Sequence, residues 1–180
     1  MVVLTQTHLI ESTYHQYSTH HSHSTIRSKL GKISLPSNLT LFGHTKEPNN
    51  ECLKTVYQAL VGSLLFIARM TGPEITIHVN LLGRTTEDLL AANLLAARKV
   101  LEYLYSSRQE GIILKKPSNL ALEVYADVSY GGPESRSQTG VLTTLGGQPM
   151  GWYSRRQDIV SLSITEAEYI ACCKGAKDLA

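Results

Sequence analysis

LALEVYADVSYGGPESRSQTGVLTTLGGQPMGWYSRRQDIVSLSITEAEYIA (Leu120–Ala171) is the stretch whose reading decides the fold. Its first residues, Leu120 to Tyr125, alternate apolar and polar side chains and lead to Asp127, which is the pattern of a half-buried strand. Gly140–Leu145 is rich in Val, Leu and Thr, and Pro149–Ser154 contains Trp152 and Tyr153. Gly131-Gly132-Pro133 and Gly146-Gly147 separate these runs, so the stretch predicts three antiparallel strands, with a long first turn and a tight second one. A helix is expected from about Ser163. Ser163 with Glu166 fits an S-x-x-E capping box, and Thr165 with Glu168 fits T-x-x-E as well; one pair at most can be the cap.

Upstream, the sequence changes character. Tyr57, Leu60, Val61, Leu64, Leu65 and Ala68 recur at offsets of three and four, predicting an amphipathic helix that starts near Asn49 or Asn50 and stops at Thr71-Gly72-Pro73. Pro73 suits the first turn of a second helix, because its missing N–H would be unpaired there; Ile75, Val79 and Leu82 form its stripe and Gly83 its end. A third helix is expected from about Thr86 to Tyr105, with Leu90, Leu94, Ala97, Leu101 and Leu104 on one face. Thr85 stands where a cap belongs, and Asp88 where a carboxylate favours the helix start. Arg84, Arg98 and Lys99 read either as solvated surface or as phosphate contacts. From Gly31 to Asn50, Pro36, Ser37, Asn38, Gly43 and Pro48 interrupt any periodicity, which reads as a linker. His8, His15, His20, His21 and His23 crowd the first 23 residues; a metal tract is one reading and a mobile polar segment the other. The expected organisation is therefore a mobile segment over 1–50, a helical connection over 51–116 and a small sheet domain over 117–180.

Composition bounds the class. The chain has 180 residues, 42 % of them hydrophobic, which excludes global disorder. A formal charge of +2 excludes a strongly basic nucleic-acid wrapper or a polybasic membrane binder. Cys52 lies about 120 residues from the adjacent Cys172 and Cys173, so neither a disulfide framework nor CxxC metal spacing emerges, and a reducing, intracellular setting is expected, cytoplasm or nucleus. The longest apolar run, Leu60–Ala68, falls short of the ~20 residues that span a bilayer, so no membrane partner is expected.

Five stretches together carry a family resemblance: YQALVGSLLFIARMTGPEI (Tyr57–Ile75), AARKVLEYL (Ala96–Leu104), VYADVSYGG (Val124–Gly132), SRSQTGVLTTLGG (Ser135–Gly147) and GWYSRRQDIVSLSITEAEYIA (Gly151–Ala171). In this order they resemble the copia-type retrotransposon Pol polyprotein, where the end of reverse transcriptase passes into ribonuclease H; a weaker echo lies at Thr5–Glu11. The resemblance implies an α+β or α/β chain: a small helical cluster followed by an incomplete ribonuclease H-like domain, a three-stranded antiparallel sheet plus one helix. It also implies an RNA–DNA hybrid as partner and Mg²⁺ as cofactor, since the family's nuclease holds two metal ions on convergent carboxylates. Asp127 falls on the first ligand position and Glu168, in AEYIA, on the second. Glu166 competes for the second role but lies about 200° around the helix from Glu168, so both cannot face one strand. Ser129, Arg155 and Arg156 fall in regions that lie near hybrid backbone in the family, where Arg suits phosphate. Trp152 reads as core.

Departures from the family's pattern shape the functional expectation. The further carboxylates that the family's enzyme uses would follow Asp178-Leu179-Ala180, and Asp178 itself sits too early in the order. No Y-x-D-D occurs. Gly72 replaces a basic residue before Pro73, and Thr85-Thr86-Glu87-Asp88 replaces a Pro-containing turn. The expectation is a polyprotein fragment that is inactive alone, with an open edge on the first strand through which copies could associate. The alternatives are a domesticated non-catalytic module binding nucleic acid or protein, and a piece of a longer reading frame.

Overall fold

The structure, a computed structural model, describes residues 1–18, 51–86, 91–117, 119–132 and 134–179. In chain order the elements are β1 (Val2–Leu4), α1 (Thr7–Ser18), α2 (Glu51–Met70), a 3₁₀ turn (Pro73–Ile75), α3 (Thr76–Gly83), α4 (Ala91–Ser106), β2 (Ile112–Leu114), β3 (Leu122–Ser129), β4 (Gln138–Leu145), β5 (Gln148–Arg156) and α5 (Ile164–Lys177). This is a mixed α+β chain. It divides into two compact units, a helical one over Thr5–Gly111 and a sheet one formed by Met1–Leu4 with Ile112–Ala180.

The helical unit is built on the expected stripes. Tyr57, Leu60, Val61, Leu64, Ile67 and Ala68 of α2 are buried, together with Ile75, Val79, Leu82, Leu94, Ala97, Val100, Leu101 and Leu104. Leu65, counted in the stripe from its spacing, is 39 % exposed, and Ile67 takes its place because it lies nearer the centre of the helix face. Helix α2 ends where Thr71 and Gly72 both donate their N–H to the Ile67 carbonyl. Pro73 then opens the 3₁₀ turn. Tyr57 Oη, Thr85 Oγ1 and the Leu82 carbonyl form a buried polar cluster with each pair 2.9 Å apart; residues 87–90, on which a cap by Thr85 would act, lie outside the described residues. Arg98 is half-buried and its Nε has no hydrogen-bond partner among the described residues, so it is not simply a solvated cation.

The expectation of a mobile first fifty residues is corrected over 1–18. Helix α1 buries Ile10, Thr13 and Tyr17 in the helical core, a three-and-four spacing hidden beneath the polar, His-rich composition. Tyr14 stacks on Tyr105 with ring centroids 3.8 Å apart, and the Arg108 guanidinium lies 4.4 Å from the Tyr105 centroid. Arg108 Nε also pairs with Glu11 at 2.9 Å, and Thr7 Oγ1 donates to the Arg108 carbonyl. His15 stands edge-on to Tyr14 and Tyr105. His20, His21 and His23, the linker to Asn50, Asp88, Leu90 and the Cys52 side chain lie outside the described residues.

Two titrating groups make this unit sensitive to pH. Burial pushes the Glu74 carboxyl up, its own backbone hydrogen bond lowers it in part, and the Glu110 charge raises it further. Burial lowers the His78 imidazole, whose Nδ1 has no hydrogen-bond partner among the described residues. A raised acid favours folding when protonated, so the Glu74 contribution falls as pH rises through its raised folded value. A lowered histidine favours folding when neutral, so its contribution is complete above the unfolded value near 6.5 and is lost as pH falls through the folded one. Glu74→Gln is therefore expected to flatten the fall in stability as pH rises above the ordinary carboxylate range, and His78→Gln the fall as pH drops below 6.5, measured by urea denaturation at stepped pH. Glu74 keeps surface in water, so its effect is the smaller.

In the sheet unit, β1 pairs antiparallel with β2, Val2 opposite Leu114. The main sheet has the order β3-β4-β5, all antiparallel, as the turn signals predict. Gly146 and Gly147, at φ +57° and +76°, make the tight β4–β5 turn, since paired left-handed residues match the twist of a two-residue hairpin. The outer edge of β3 pairs with no other strand among the described residues. Helix α5 packs on β3: Gly175 comes so close that a β-carbon there would stand 3.1 Å from Val124 Cγ1 and 3.3 Å from Ala126 Cβ.

Candidate functional site

Strand pairing sets out the site row by row. Asp127 lies opposite Gly140, which lies opposite Ser154; the next row is Ser129, Gln138 and Arg156, and the preceding one Tyr125, Leu142 and Trp152. Directly opposed residues share a face, so these three rows form one surface of the sheet. Val124 and Ala126, which meet α5, alternate with them, so Asp127 stands on the face turned away from α5. Gly140 leaves room beside it. Gln138 Nε2 donates to Ser154 Oγ at 2.7 Å, a buried bond that braces this surface. Trp152 is half-buried, part of the row rather than a free stacking platform.

The two arginines separate. Arg156 shares the row of Ser129 and the face of Asp127, whereas Arg155, paired with Thr139, points to the α5 side. Both are exposed. Of the three residues with an expected phosphate role, Ser129 and Arg156 are thus brought together and Arg155 is not.

The competition at the helix start is resolved for the cap. Ser163 is the N-cap: its Oγ accepts from Glu166 N at 3.1 Å, while Glu166 Oε2 accepts from Leu162 N at 2.7 Å. Glu166 is thereby engaged, and Thr165 does not cap. Glu168 is half-buried on α5, next to the buried line of Ala167, Ala171 and Gly175. Asp178 ends the same helix and accepts a hydrogen bond from Tyr153; burial, then the Asp178 charge and that bond, push the Tyr153 hydroxyl up. Lys174 pairs with Asp158 at 3.3 Å.

Neither Asp127 nor Glu168 has an ion-pair partner among the described residues. Carboxylate oxygens suit a hard divalent cation, but no group of three or more His, Cys, Asp or Glu side chains converges among the described residues. The donor chemistry fits Mg²⁺ and the donor number does not, so no step is derived through the metal. Sequence reasoning missed Gly140, Gln138 and Gln157, whose roles come from cross-strand neighbours and leave no periodic signal.

Fold and site define a mixed α+β protein with two candidate carboxylates on opposite sides of the sheet, Asp127 on the face turned away from α5 and Glu168 on α5 itself. The chain is 36 % identical over 154 residues, 84 % of its length, to a transposon Ty5-1 protein of Saccharomyces cerevisiae, of which it spans 49 %. It is 35 % identical over 133 residues and 34 % over 143 to the retrovirus-related Pol polyproteins from transposons RE1 and RE2 of Arabidopsis thaliana, covering 73 % and 78 % of this chain but 9 % and 10 % of theirs. The chain belongs to the retrotransposon Pol polyproteins, of which it represents a segment. No protein-family profile and no solved structure matches it. No helix among the described residues is long and apolar enough to cross a membrane.

Proposed function

We propose that this segment joins the end of a copia-type reverse transcriptase to the start of a ribonuclease H-like domain, in which Asp127 and Glu168 fall on the family's first two Mg²⁺ ligand positions, although here Asp127 lies on one side of the sheet and α5, with Glu168, on the other. The observation that carries the reading is the order of elements: a strand bearing Asp127, two further antiparallel strands, and a helix bearing Glu168, in a chain similar to Pol polyproteins over most of its length. In the parent protein the substrate would be the RNA strand of an RNA–DNA hybrid. Arg156 and Ser129, on the Asp127 face, are the candidates for its phosphates. Two carboxylates cannot fix two like-charged ions, so this chain by itself is expected not to cleave.

A labelled hybrid incubated with Mg²⁺ and either the chain or its Asp127→Asn variant tests this. The expected result is no metal-dependent cleavage by either. Cleavage by the chain that disappears in the variant would overturn the inactivity. Hybrid binding that weakens steeply with salt, without cleavage, would favour the non-catalytic binding module instead.

A further inference from the structure

The described residues between β2 and β3 (115–117 and 119–121) combine the features at which chains are nicked: they are irregular and largely exposed, and they hold the dibasic pair Lys115-Lys116. Yet the β4–β5 turn grips this connection at three points. The Gln148 carboxamide takes both main-chain polar groups of Lys115: its Oε1 accepts from Lys115 N and its Nε2 donates to the Lys115 carbonyl. Gly146 N donates to the Ala121 carbonyl at 2.8 Å. At Gly146, with φ +57°, a β-carbon would fall inside contact distance of Pro117 Cβ and stand 2.5 Å from the Asn119 carbonyl oxygen, so the connection lies directly on the turn.

We propose that the Gly146-Gly147-Gln148 turn is a clasp that guards the Lys115–Lys116 bond against basic-specific serine endopeptidases, so that the chain on either side of the connection stays joined. Such an enzyme takes its substrate as an added extended strand, and at the residue before the cut it must seize the N–H and the carbonyl whose oxygen enters the oxyanion hole. At Lys115 these are the two groups that Gln148 holds. The Lys115 side chain is exposed, so its cation is open to recognition and only its main chain is withheld. A carboxamide can do this because one planar group carries both a donor and an acceptor. The following bond offers no substitute, since Pro117 lacks an N–H and has a fixed φ. Opening the clasp breaks hydrogen bonds without unfolding the sheet, so cleavage is slowed by the small population of the open form.

The test is a trypsin time course on the full chain, with the fragments identified by mass spectrometry. Gln148→Ala is expected to quicken cleavage after Lys115 roughly tenfold, the effect of two hydrogen bonds of ordinary net strength. Gln148→Glu keeps the acceptor for Lys115 N–H and loses the donor to the carbonyl, so a smaller rise is expected. Cleavage after Arg155, Arg156 and Lys174, in the same sheet unit, is the internal reference and should not change. A rise confined to Lys115 supports the clasp. A rate after Lys115 that stays within about twofold of the unsubstituted chain in Gln148→Ala, or a rise shared equally by Arg155, Arg156 and Lys174, overturns it, the latter because general loosening of the sheet unit opens every site alike.

Discussion

Leu64→Ala is expected to destabilise the helical unit by about 2–5 kcal/mol. Leu64 is fully buried in the middle of α2, among Tyr57, Leu60, Val61 and Ile67, with residues of α3 and α4 completing the same core. Truncation removes three carbons from a close-packed interior and leaves a cavity that rigid helices refill only in part. Leu65→Ala is the internal comparison. It deletes the same atoms one residue along, at a position 39 % exposed, and should cost a fraction as much. Urea titrations followed by the far-UV helical signal read both. Equal losses would mean that the burial of α2 is not centred on the Leu64 face.

Gly175→Val should loosen α5 by about 1–3 kcal/mol, because the added branches meet Val124 and Ala126 of β3 where even a single β-carbon is tight. Gly175→Ala sorts two opposed effects. Replacing a glycine in the last turn of α5 gains at most about 1 kcal/mol of helix propensity, and the contacts at 3.1 and 3.3 Å take back a similar amount, so near-neutrality is expected. Thermal unfolding followed by Trp152, the single tryptophan, reports on the sheet unit in which both variants lie. Valine as benign as alanine would show that α5 shifts freely on the sheet. Such freedom would also weaken the case that Glu168 has a fixed place.

The two units are stabilised by different means, which bears on what the segment can do. The helical unit has a continuous apolar core reaching from Ile10 to Leu104. The sheet unit instead buries Ser137, Gln138, Thr139, Ser154, Gln157 and Ser161, satisfied largely by one another, and exposes Leu122, Tyr125, Ile159, Leu162, Ile164 and Tyr169.

Much of this protein was legible without coordinates. The spacing of Leu60, Leu64, Val79, Leu82, Leu94 and Leu101 predicts the helices because burial of one face imposes a period of 3.6, and glycine pairs predict the turns because few other residues accept those dihedral angles. Asp127 and Glu168 stand out through the order of motifs around them. The packing of α1 was not legible, since Ile10, Thr13 and Tyr17 are diluted by polar neighbours and Tyr105, on which Tyr14 stacks, lies far along the chain. Nor was the separation of Arg155 from Arg156, adjacent in sequence but on opposite faces once the strand's pleat is known. Local sequence by itself determined which elements form, because propensity and periodicity act between near neighbours. Only the tertiary structure decided that Glu166 closes the helix cap, that Asp127 shares a face with Ser129 and Arg156, and that Gln157 ties helix to sheet by donating to the Ala167 carbonyl and Thr139 Oγ1, because each depends on the register between segments brought together by folding.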